Sequence, residues 1–265
     1  MSQKRKHQPV VAKIESGIKM RLDSDSELAR LIYLENFERS ERQFLASLLR
    51  RGDIFVDVGA NIGLYALTAA RCVGKQGEVY AFEPCAETYG RLLDNIKLNG
   101  FENIFCYPMA LSDASVETEM TVSMDGYDAW NSLASPISGE RFRTEKVSCT
   151  SWDHFAKEHD LVGRVTMMKI DVEGWESRVL KGALSTLSRD NAPILQVEFE
   201  DRTSLSGGSS CNELYCMLEN LGYQMFVYHP DSNTLIPDPV REQYAYANLI
   251  AAKQTKFIEE RFGRF

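Results

Sequence analysis

The sequence feature that most constrains the fold is the run D-I-F-V-D-V-G-A-N-I-G at residues 53–63. Here an apolar run, interrupted only by Asp57, leads into Gly59 and Gly63 and then into a helical pattern. This order predicts a buried parallel strand, a tight turn and the start of a helix. Glycine permits the sharp turn and the close approach of a ligand. The free N–H groups of the first helical turn would face that ligand, so the run predicts a binding site.

An acidic residue after the next predicted strand indicates the kind of ligand. Glu83 follows the strand 78–82 and lies about twenty residues beyond the turn, where an acid binds the ribose hydroxyls of a nucleotide. A dinucleotide site would read G-x-G-x-x-G, whereas Asn61 occupies the place of the second glycine and Asp57 precedes the first. A carboxylate at that turn repels a pyrophosphate and suits the ammonium and sulfonium groups of S-adenosylmethionine (SAM). The pattern therefore favours SAM over NAD, with a purely structural turn as the alternative.

Strands and helices alternate along most of the chain. Strands are predicted at 54–58, 78–82, 104–107, 165–170 and 194–199, with helical patterns between them. This alternation predicts an α/β fold with a doubly wound, mostly parallel sheet. We expect an antiparallel hairpin at the C-terminal end, formed by 222–228 and 244–252, and an N-terminal extension at the other end.

Length, composition and charge set further bounds. The 265 residues are 44% hydrophobic and 26% charged, which is typical of one large globular domain. We expect residues 1–50 to form a hairpin and helices that cover the site, 51–253 to form the main SAM-binding domain, and 254–265 to be a tail. The net charge of −8 argues against a nucleic-acid partner. Because the chain has no apolar run of about 18 residues and no signal-peptide core, we expect no membrane association and a cytoplasmic location.

Acidic residues stand at the ends of several predicted strands. In an open parallel sheet, ligands bind outside the carboxyl ends of the strands. Lys169, Asp171 and Glu173 end the fourth strand, and Glu198 lies near the end of the fifth. Asp113 follows the third strand, where it would meet the adenine edge of a nucleoside. We therefore predict that these side chains belong to one site.

The stretch 120–142 breaks the alternation of strands and helices. It combines glycine and proline with polar and aromatic residues, among them Trp130 and Asn131. A long loop in a compact domain is often a binding loop, and a surface insertion is the alternative. A binding loop would place Trp130 and Asn131 against the substrate.

Several motifs give the chain a resemblance to a known family. They are F-V-D-V-G-A-N-I-G-L-Y (55–65), A-F-E-P (81–84), A-L-S-D (110–113), K-I-D-V-E-G-W-E (169–176) with V-L-K-G-A (179–183), and Q-V-E-F-E (196–200). In this order the chain resembles the FkbM-type SAM-dependent methyltransferases. The resemblance implies the class I methyltransferase (Rossmann-like) fold. It also implies O-methylation of a hydroxyl on a sugar or a hydroxylated small natural product, so the acceptor would be a small molecule or a glycan.

The resemblance also implies which residues bind the cofactor. Matching positions give SAM contacts at Asp57, Gly59, Asn61, Gly63, Glu83 and Asp113. Trp175 stands where smaller residues are common in the family, which concerns the acceptor more than the methyl donor.

The candidate catalytic groups are Asp171, Glu173 and Lys169. Methyl transfer from a sulfonium is an in-line displacement that depends on alignment, and a base assists as the hydroxyl loses its proton. Asp171 or Glu173 is the predicted base, with Lys169 paired to one of them and Glu198 near the substrate. The two carboxylates could instead bind Mg²⁺ or cap the following helix. We favour a metal-free base, because no third ligand stands at an evident spacing.

Three other functions fit parts of the same pattern. An N-methyltransferase would use the same geometry on a small amine or a peptide. A SAM-binding domain without catalysis would need only the cofactor residues. An NAD-dependent oxidoreductase is disfavoured, because both the G-x-G-x-x-G motif and a Tyr-x-x-x-Lys pair are missing from the sequence.

Overall fold

The computed structural model describes residues 9–14, 17–23, 27–34, 37–123, 133 and 142–263. The strands are β1 (Val10–Lys13), β2 (Lys19–Leu22), β3 (Ile54–Val58), β4 (Glu78–Phe82), β5 (Ile104–Tyr107), β6 (Ala110–Leu111), β7 (Glu117–Ser123), β8 (Phe142–Thr150), β9 (Met167–Ile170), β10 (Ile194–Phe199), β11 (Gln224–His229), β12 (Thr234–Pro237) and β13 (Ala247–Ala252). The helices are α1 (Glu27–Tyr33), α2 (Arg39–Leu48), α3 (Leu64–Val73), α4 (Ala86–Asn99), α5 (Trp152–Glu158), α6 (Glu176–Lys181), α7 (Leu184–Leu187), α8 (Asp201–Ser206), α9 (Cys211–Asn220) and α10 (Lys256–Arg261).

The central sheet contains eight of the described strands, in the order β12-β11-β13-β10-β9-β3-β4-β5. The strands β5, β4, β3, β9 and β10 pair in parallel. β13 runs antiparallel between β10 and β11. From β3 the chain adds β4 and β5 on one side, and it later places β9 and β10 on the other. This arrangement confirms the predicted class I methyltransferase fold, and it creates a switch point between β3 and β9, where ligands bind in such sheets.

The strands at the switch point are buried on both faces of the sheet. Every residue of β3, β9 and β10 is buried, which explains why these segments are nearly continuous apolar runs. Side chains on one face, such as Phe55, pack against α2 and α3, and those on the other, such as Val56, pack against α5, α6, α7 and α9. Polar residues inside these strands, including Asp57, Lys169 and Glu198, are exceptions that need a local explanation.

The N-terminal hairpin packs on α4. Its strands β1 and β2 pair antiparallel, as the sequence predicts. The backbone N–H groups of Lys19 and Arg21 donate to the side-chain oxygens of Asn99 and Asn95, at 2.8 and 2.7 Å. Helix α1 then places Ile32 in the same apolar cluster as residues at the start of α3. The N-terminal segment is therefore held at the side of the sheet where the glycine turn lies.

Both ends of the stretch 120–142 belong to strands. Residues 120–123 belong to β7, and Phe142 begins β8. These two strands pair antiparallel, and together with β6 they form a separate three-stranded sheet within the described chain. Trp130 and Asn131, the predicted substrate contacts, lie outside the described residues.

Residues 254–265 are expected from the sequence to be a tail. In the structure residues 256–261 instead form the helix α10. Ile258 is fully buried against the cluster that contains α2. Arg261 donates to Asp53, just before β3, and to the carbonyl oxygen of Leu48 at 2.9 Å. The segment thus anchors the end of the chain to the start of the central strand. Among the described helices, none combines the length and the apolar composition needed to cross a membrane.

Candidate active site

A cavity of about 320 Å³ lies at the carboxyl ends of β3, β4, β9 and β10. Ile32 and Phe37 line it from the N-terminal segment, and Leu133 lines it beyond β7. Among the described residues, its walls carry seven carboxyl groups, which are Glu38, Asp57, Glu83, Asp171, Glu173, Glu198 and Glu200. They carry two basic side chains, which are Lys169 and Arg202. The cavity therefore has a strong excess of acidic groups.

The glycine turn is shaped by contacts within the protein. Gly59 and Gly63 have φ angles of +81° and +97°, which L-residues with side chains rarely adopt. A Cβ on Gly59 would overlap the backbone carbonyl oxygen of Asp171, and one on Gly63 would lie 2.6 Å from a methyl group of Leu92. Contacts within the protein therefore already require glycine at both positions, and the expectation that these glycines also make room for a ligand stays a prediction. They let the turn pack against the end of β9 and against α4.

Glu83 is fixed by the backbone of the turn. Its two carboxylate oxygens accept the N–H groups of Asn61, at 3.0 Å, and of Cys85, at 2.9 Å. Burial raises the pKa of Glu83 to about 7, although these two hydrogen bonds oppose the shift. Each oxygen keeps a further lone pair beside the cavity. The carboxylate of Glu83, which the sequence predicts to bind the ribose hydroxyls, is thus held in one position on the cavity wall.

Asp57 is buried beside the cavity, and the protein does not fully satisfy its carboxylate. Only 1% of its surface is exposed, and neither carboxylate oxygen accepts a hydrogen bond of good geometry in the described part of the chain, although the backbone N–H of Ala66 lowers its pKa. Burial raises its pKa to about 6, and the charge of Lys169 opposes this shift. Buried polar groups are nearly always satisfied. A cationic group bound in the cavity would supply the missing partner, which is the role that the sequence predicts for the ammonium of SAM.

Lys169 lies at the centre of the acidic cavity. Its side-chain nitrogen donates to Asp171 Oδ2 at 2.7 Å and lies 4.5 Å from the ring centroid of Tyr65. Burial acts to lower its pKa, but the carboxylates of Asp171, Glu38 and Asp57 together raise it above the usual value. Lys169 is therefore a buried ammonium group. The predicted pairing of Lys169 with a neighbouring acid is confirmed, and the partner is Asp171.

Asp171, Glu173 and Glu198 form a carboxylate cluster. Each offers an oxygen, and these three oxygens lie within 4.8 Å of one another. Burial, followed by the charge of Asp171, raises the pKa values of Glu173 and Glu198 well above the usual range. No third ligand is evident from the spacing of residues along the sequence. In the folded chain, however, Glu198 lies next to Asp171 and Glu173 and could be that ligand. Glu198 joins the pair because β10 is the neighbour of β9.

The N-cap residue of α6, Trp175, makes no side-chain cap hydrogen bond, and Glu176 instead holds the loop between β9 and α6. The N–H groups of Val172 and Gly174 donate to Glu176 Oε1, at 3.0 and 3.2 Å. Asp171 instead directs its carboxylate to Lys169. The hypothesis that Asp171 serves only as a helix cap is therefore wrong, and its carboxylate is committed to the cavity.

Asp113 lies behind the cavity wall rather than on it. Its carboxylate accepts Arg178 Nη1 at 3.0 Å and Ser112 Oγ at 3.1 Å. The indole N–H of Trp175 donates to Ser112 Oγ at 3.1 Å, and Trp175 lines the cavity together with Leu111. The contact of Asp113 with adenine stays a prediction.

Sequence reasoning misses Glu38. This residue precedes α2 with a left-handed φ of 45°. Its Oε1 accepts Tyr246 Oη at 2.6 Å and Asn248 Nδ2 at 2.9 Å, and the nearby hydroxyl of Tyr65 also interacts with the carboxylate. Burial raises its pKa, and Lys169 opposes that shift. Glu38 and Tyr246 line the cavity from distant parts of the chain, and neither carries a motif or a periodicity that would have marked it.

The geometry of the site agrees with a family comparison. Residues 57–225 match the family model described as the methyltransferase FkbM domain. The chain belongs to the FkbM methyltransferase family. Its fold and family are those of SAM-dependent methyltransferases, and the resemblance seen in the sequence motifs is confirmed. The match begins at Asp57 and includes the turn, Glu83 and the end of β9.

Individual relatives of this FkbM-family chain are distant. It is 27% identical over 195 residues to the hexuronic acid methyltransferase AglP of Haloferax volcanii, which covers 71% of this chain and 74% of AglP. It is 30% identical over 142 residues to Methyltransferase 1 of Beauveria bassiana, covering 48% of this chain and 57% of the relative. A crystal structure of methyltransferase FkbM from Methylobacillus flagellatus KT aligns with a TM-score of 0.48 at 16% identity, over 84% of this chain. The chain spans about half, 52%, of the length of that structure.

Proposed function

We propose that this protein is a SAM-dependent O-methyltransferase that acts on a hydroxyl of a sugar or of a hydroxylated small natural product. The observation that carries the proposal is a single cavity that joins two sets of carboxylates. Asp57 and Glu83 form the first set at the glycine turn, and Asp171, Glu173 and Glu198 form the second. The first set has the chemistry to bind SAM, and the second has the chemistry to bind a hydroxyl acceptor.

The residues of the first set fit SAM. The oxygens of Asp57, which lack a hydrogen bond of good geometry within the described chain, would accept the ammonium group. Glu83, held by two backbone N–H groups, would accept the ribose hydroxyls. Leu111 and Trp175 offer apolar surface on the same wall for the adenine ring. When bound, SAM supplies a methyl group attached to a positively charged sulfur. The sulfur is the leaving group and keeps the electron pair of the broken carbon–sulfur bond.

The residues of the second set would hold the acceptor. The acceptor oxygen forms the new bond to carbon with its own electron pair, and the hydroxyl proton passes to a carboxylate of the cavity. A carboxylate whose pKa is raised, as burial does at Glu173, takes a proton more readily near neutral pH than an exposed one. Lys169 donates to Asp171 and thereby orients its carboxylate. These residues therefore provide both alignment and a proton acceptor.

The class of acceptor is inferred from two observations. AglP, which shares 27% identity with the chain, is a hexuronic acid methyltransferase by name, and this supports a sugar acceptor. The excess of carboxyl groups in the cavity favours a second candidate, N-methylation of a small amine or peptide, because an ammonium group would compensate the buried acids. Hydroxyl and amine acceptors can be separated by experiment.

The test uses the purified full chain with SAM and a panel of neutral glycosides, hexuronates, polyphenols and amines. We expect a hydroxyl acceptor to gain the mass of one CH₂ by mass spectrometry, together with an equal amount of S-adenosylhomocysteine. Asp57→Asn should lose this product, whereas Glu219→Gln, which alters an exposed carboxyl on α9, should keep it. Methylated amines alone would establish the second candidate. Calorimetry that shows NADH binding and no SAM binding would refute both.

A further inference from the structure

The acidic groups of the cavity are not balanced by the basic side chains around it. Arg202 lies with its Nε 3.3 Å from Glu200 Oε1, so this pair is compensated at the rim. Lys169 is then the basic side chain that faces the remaining carboxyl groups lining the described cavity. It forms its close ion pair with Asp171. Glu198, with a buried oxygen that lacks a partner in the described chain, therefore needs a proton or a further positive charge.

Glu198 provides an observation that is independent of the clustering. It is 5% exposed, and within the described residues its Oε2 is buried without any hydrogen-bond partner. The nearby amides are used elsewhere: Asn248, opposite Glu198 in the sheet, donates to Glu38, and Gln196 donates to Tyr65 at 3.2 Å. The protein thus directs its neutral donors away from Glu198. An unpaired buried carboxylate is costly, so its side chain points to a ligand that the chain does not itself supply.

The spacing of the three oxygens suits one divalent ion. Oxygens that bind the same ion at about 2.1 to 2.6 Å can lie up to roughly 4 to 5 Å apart, and the observed limit is 4.8 Å. Asp171 and Glu173 come from the end of β9, and Glu198 comes from the neighbouring β10. Oxygen ligands from carboxylates are those that Mg²⁺, Mn²⁺ and Ca²⁺ prefer. The cluster therefore has the donor type and the size of a hard-cation site.

We propose that Asp171, Glu173 and Glu198 bind one divalent cation of the Mg²⁺, Mn²⁺ or Ca²⁺ class, with acceptor oxygens completing its coordination. The coordination of the cation by acceptor oxygens rests on the proposed methyl transfer, whereas the cation site itself does not. A cation at this place binds the reacting hydroxyl and lowers its pKa. The released proton can then pass to a cavity carboxylate outside the three ligands, such as Glu38. The same cation would let the cavity accept a hexuronate, whose negative charge the acids would otherwise repel.

Binding of the cation can be measured without methyl transfer. The full chain is stripped of metal with a chelator and titrated with Mg²⁺, Mn²⁺ and Ca²⁺ by calorimetry, and with Mn²⁺ by electron paramagnetic resonance, in the absence of SAM and acceptor. We expect one saturable site per chain. Glu198→Gln should weaken binding by about tenfold or more, and Glu219→Gln should leave it unchanged. Circular dichroism verifies folding, and Glu173→Gln, at a half-buried position, replaces Glu198→Gln if that variant does not fold.

The outcomes separate the cation from the proposed function. No saturable binding at millimolar concentrations, or binding that neither Glu198→Gln nor Glu173→Gln weakens, would overturn the cation site and leave protons as the compensating charge. A site that binds the cation while no acceptor is methylated would support the site and count against the proposed function. Methyl transfer that survives in excess chelator would show that the cation is not required for the chemistry, and it would overturn the role of the ion in acceptor binding.

Discussion

Two parts of the cavity are built in different ways: the part proposed to bind SAM, formed by Asp57, the glycine turn and Glu83 (the SAM half), and the part proposed to bind the acceptor, formed by Glu38, Asp171, Glu173 and Glu198 (the acceptor half). The SAM half comes from contiguous sequence: the turn at 57–63 and Glu83 at the end of the next strand, joined by the hydrogen bond from Asn61 N–H to Glu83. The acceptor half comes from distant segments, since Glu38 precedes α2, Asp171 ends β9 and Glu198 lies on β10. Backbone geometry therefore fixes the first half, and tertiary packing assembles the second.

Each half contains a buried carboxylate that the protein does not fully satisfy. Both oxygens of Glu83 accept backbone N–H groups, so this part of the wall is set before any ligand binds. Asp57 in the SAM half and Glu198 in the acceptor half leave buried oxygens without a geometric hydrogen bond in the described chain. Both halves therefore contain a carboxylate that a proton, an ion or a ligand must balance, but only the SAM half also contains one that the backbone holds in place. Substitutions in the SAM half should therefore change SAM affinity, and substitutions in the acceptor half should change the rate of methyl transfer.

The largest expected effect tests whether the halves are separate. Asp171→Asn and Glu173→Gln keep the shape of the side chain but remove a proton acceptor or ion ligand. We expect each to slow methyl transfer by about 10²- to 10⁴-fold, while the dissociation constant of SAM measured by calorimetry stays the same. Glu219→Gln on the exposed face of α9 serves as the matched control. An equal loss of SAM affinity would show that the two halves act as one unit.

The next effect is on stability, and it tests the packing of the turn against β9. Gly59→Ala forces a Cβ into the carbonyl oxygen of Asp171 at a φ of +81°. Gly208→Ala has nearly the same φ, +80°, and its Cβ would meet nothing within 4 Å in the described chain. We expect urea denaturation to show a loss of about 2–4 kcal/mol for Gly59→Ala and about 1 kcal/mol for Gly208→Ala. Equal losses would mean that the contact with β9 is not what requires the glycine.

The contrast between the halves also explains how much the sequence could predict. The parallel strands, the glycine turn, the N-terminal hairpin and the positions of Asp57 and Glu83 follow from local periodicity and spacing, and the structure contains them. Class I topology follows as well, because the strand and helix alternation and the family motifs are contiguous. These are features in which neighbouring residues carry the whole signal.

What the sequence does not indicate is produced by pairing between distant segments. The sheet of β6, β7 and β8 forms because Glu117–Ser123 meets Phe142–Thr150 across a long separation. Glu198 is predicted near the substrate, but its approach to Asp171 and Glu173 depends on the neighbouring positions of β9 and β10. Glu38 is held at the cavity by hydrogen bonds from Tyr246, just before β13, and from Asn248 on β13. None of these contacts has a fixed sequence spacing.

A smaller effect sharpens the description of the SAM half. Glu83→Ala should weaken SAM binding by about 1.5–3 kcal/mol, the value of a hydrogen bond to a charged group. The same change removes the acceptor for Cys85 N–H at the start of α4, so it should also cost about 1 kcal/mol of stability. Calorimetry and urea denaturation measure the two effects separately. A stability loss with unchanged SAM affinity would reduce Glu83 to a cap for α4.

The smallest expected effect is the pH dependence of the same group, and its sign can be derived in advance. Burial raises the pKa of Glu83 from 4.5 to about 7, so in the free protein the carboxyl gains a proton as the pH falls below 7. Ribose hydroxyls donate to the ionised form, so SAM affinity should fall by about tenfold between pH 8 and pH 6. The folded state binds this proton more tightly than the unfolded state, so the contribution of Glu83 to stability decreases as the pH rises from 4.5 to 7. Affinity and ligand-free stability should therefore change in opposite directions with pH. In Glu83→Gln the slope of SAM affinity should shrink to what Asp57, with its pKa of about 6, contributes. The slope of stability should lose the share of Glu83 and keep the shares of the other buried carboxyls, such as Glu176 with its pKa of about 7. If SAM affinity depends on pH equally in the wild type and in Glu83→Gln, the titrating group is not Glu83. The pH dependence would then be assigned to a carboxyl of the acceptor half, and the two halves would not have the separate roles proposed here.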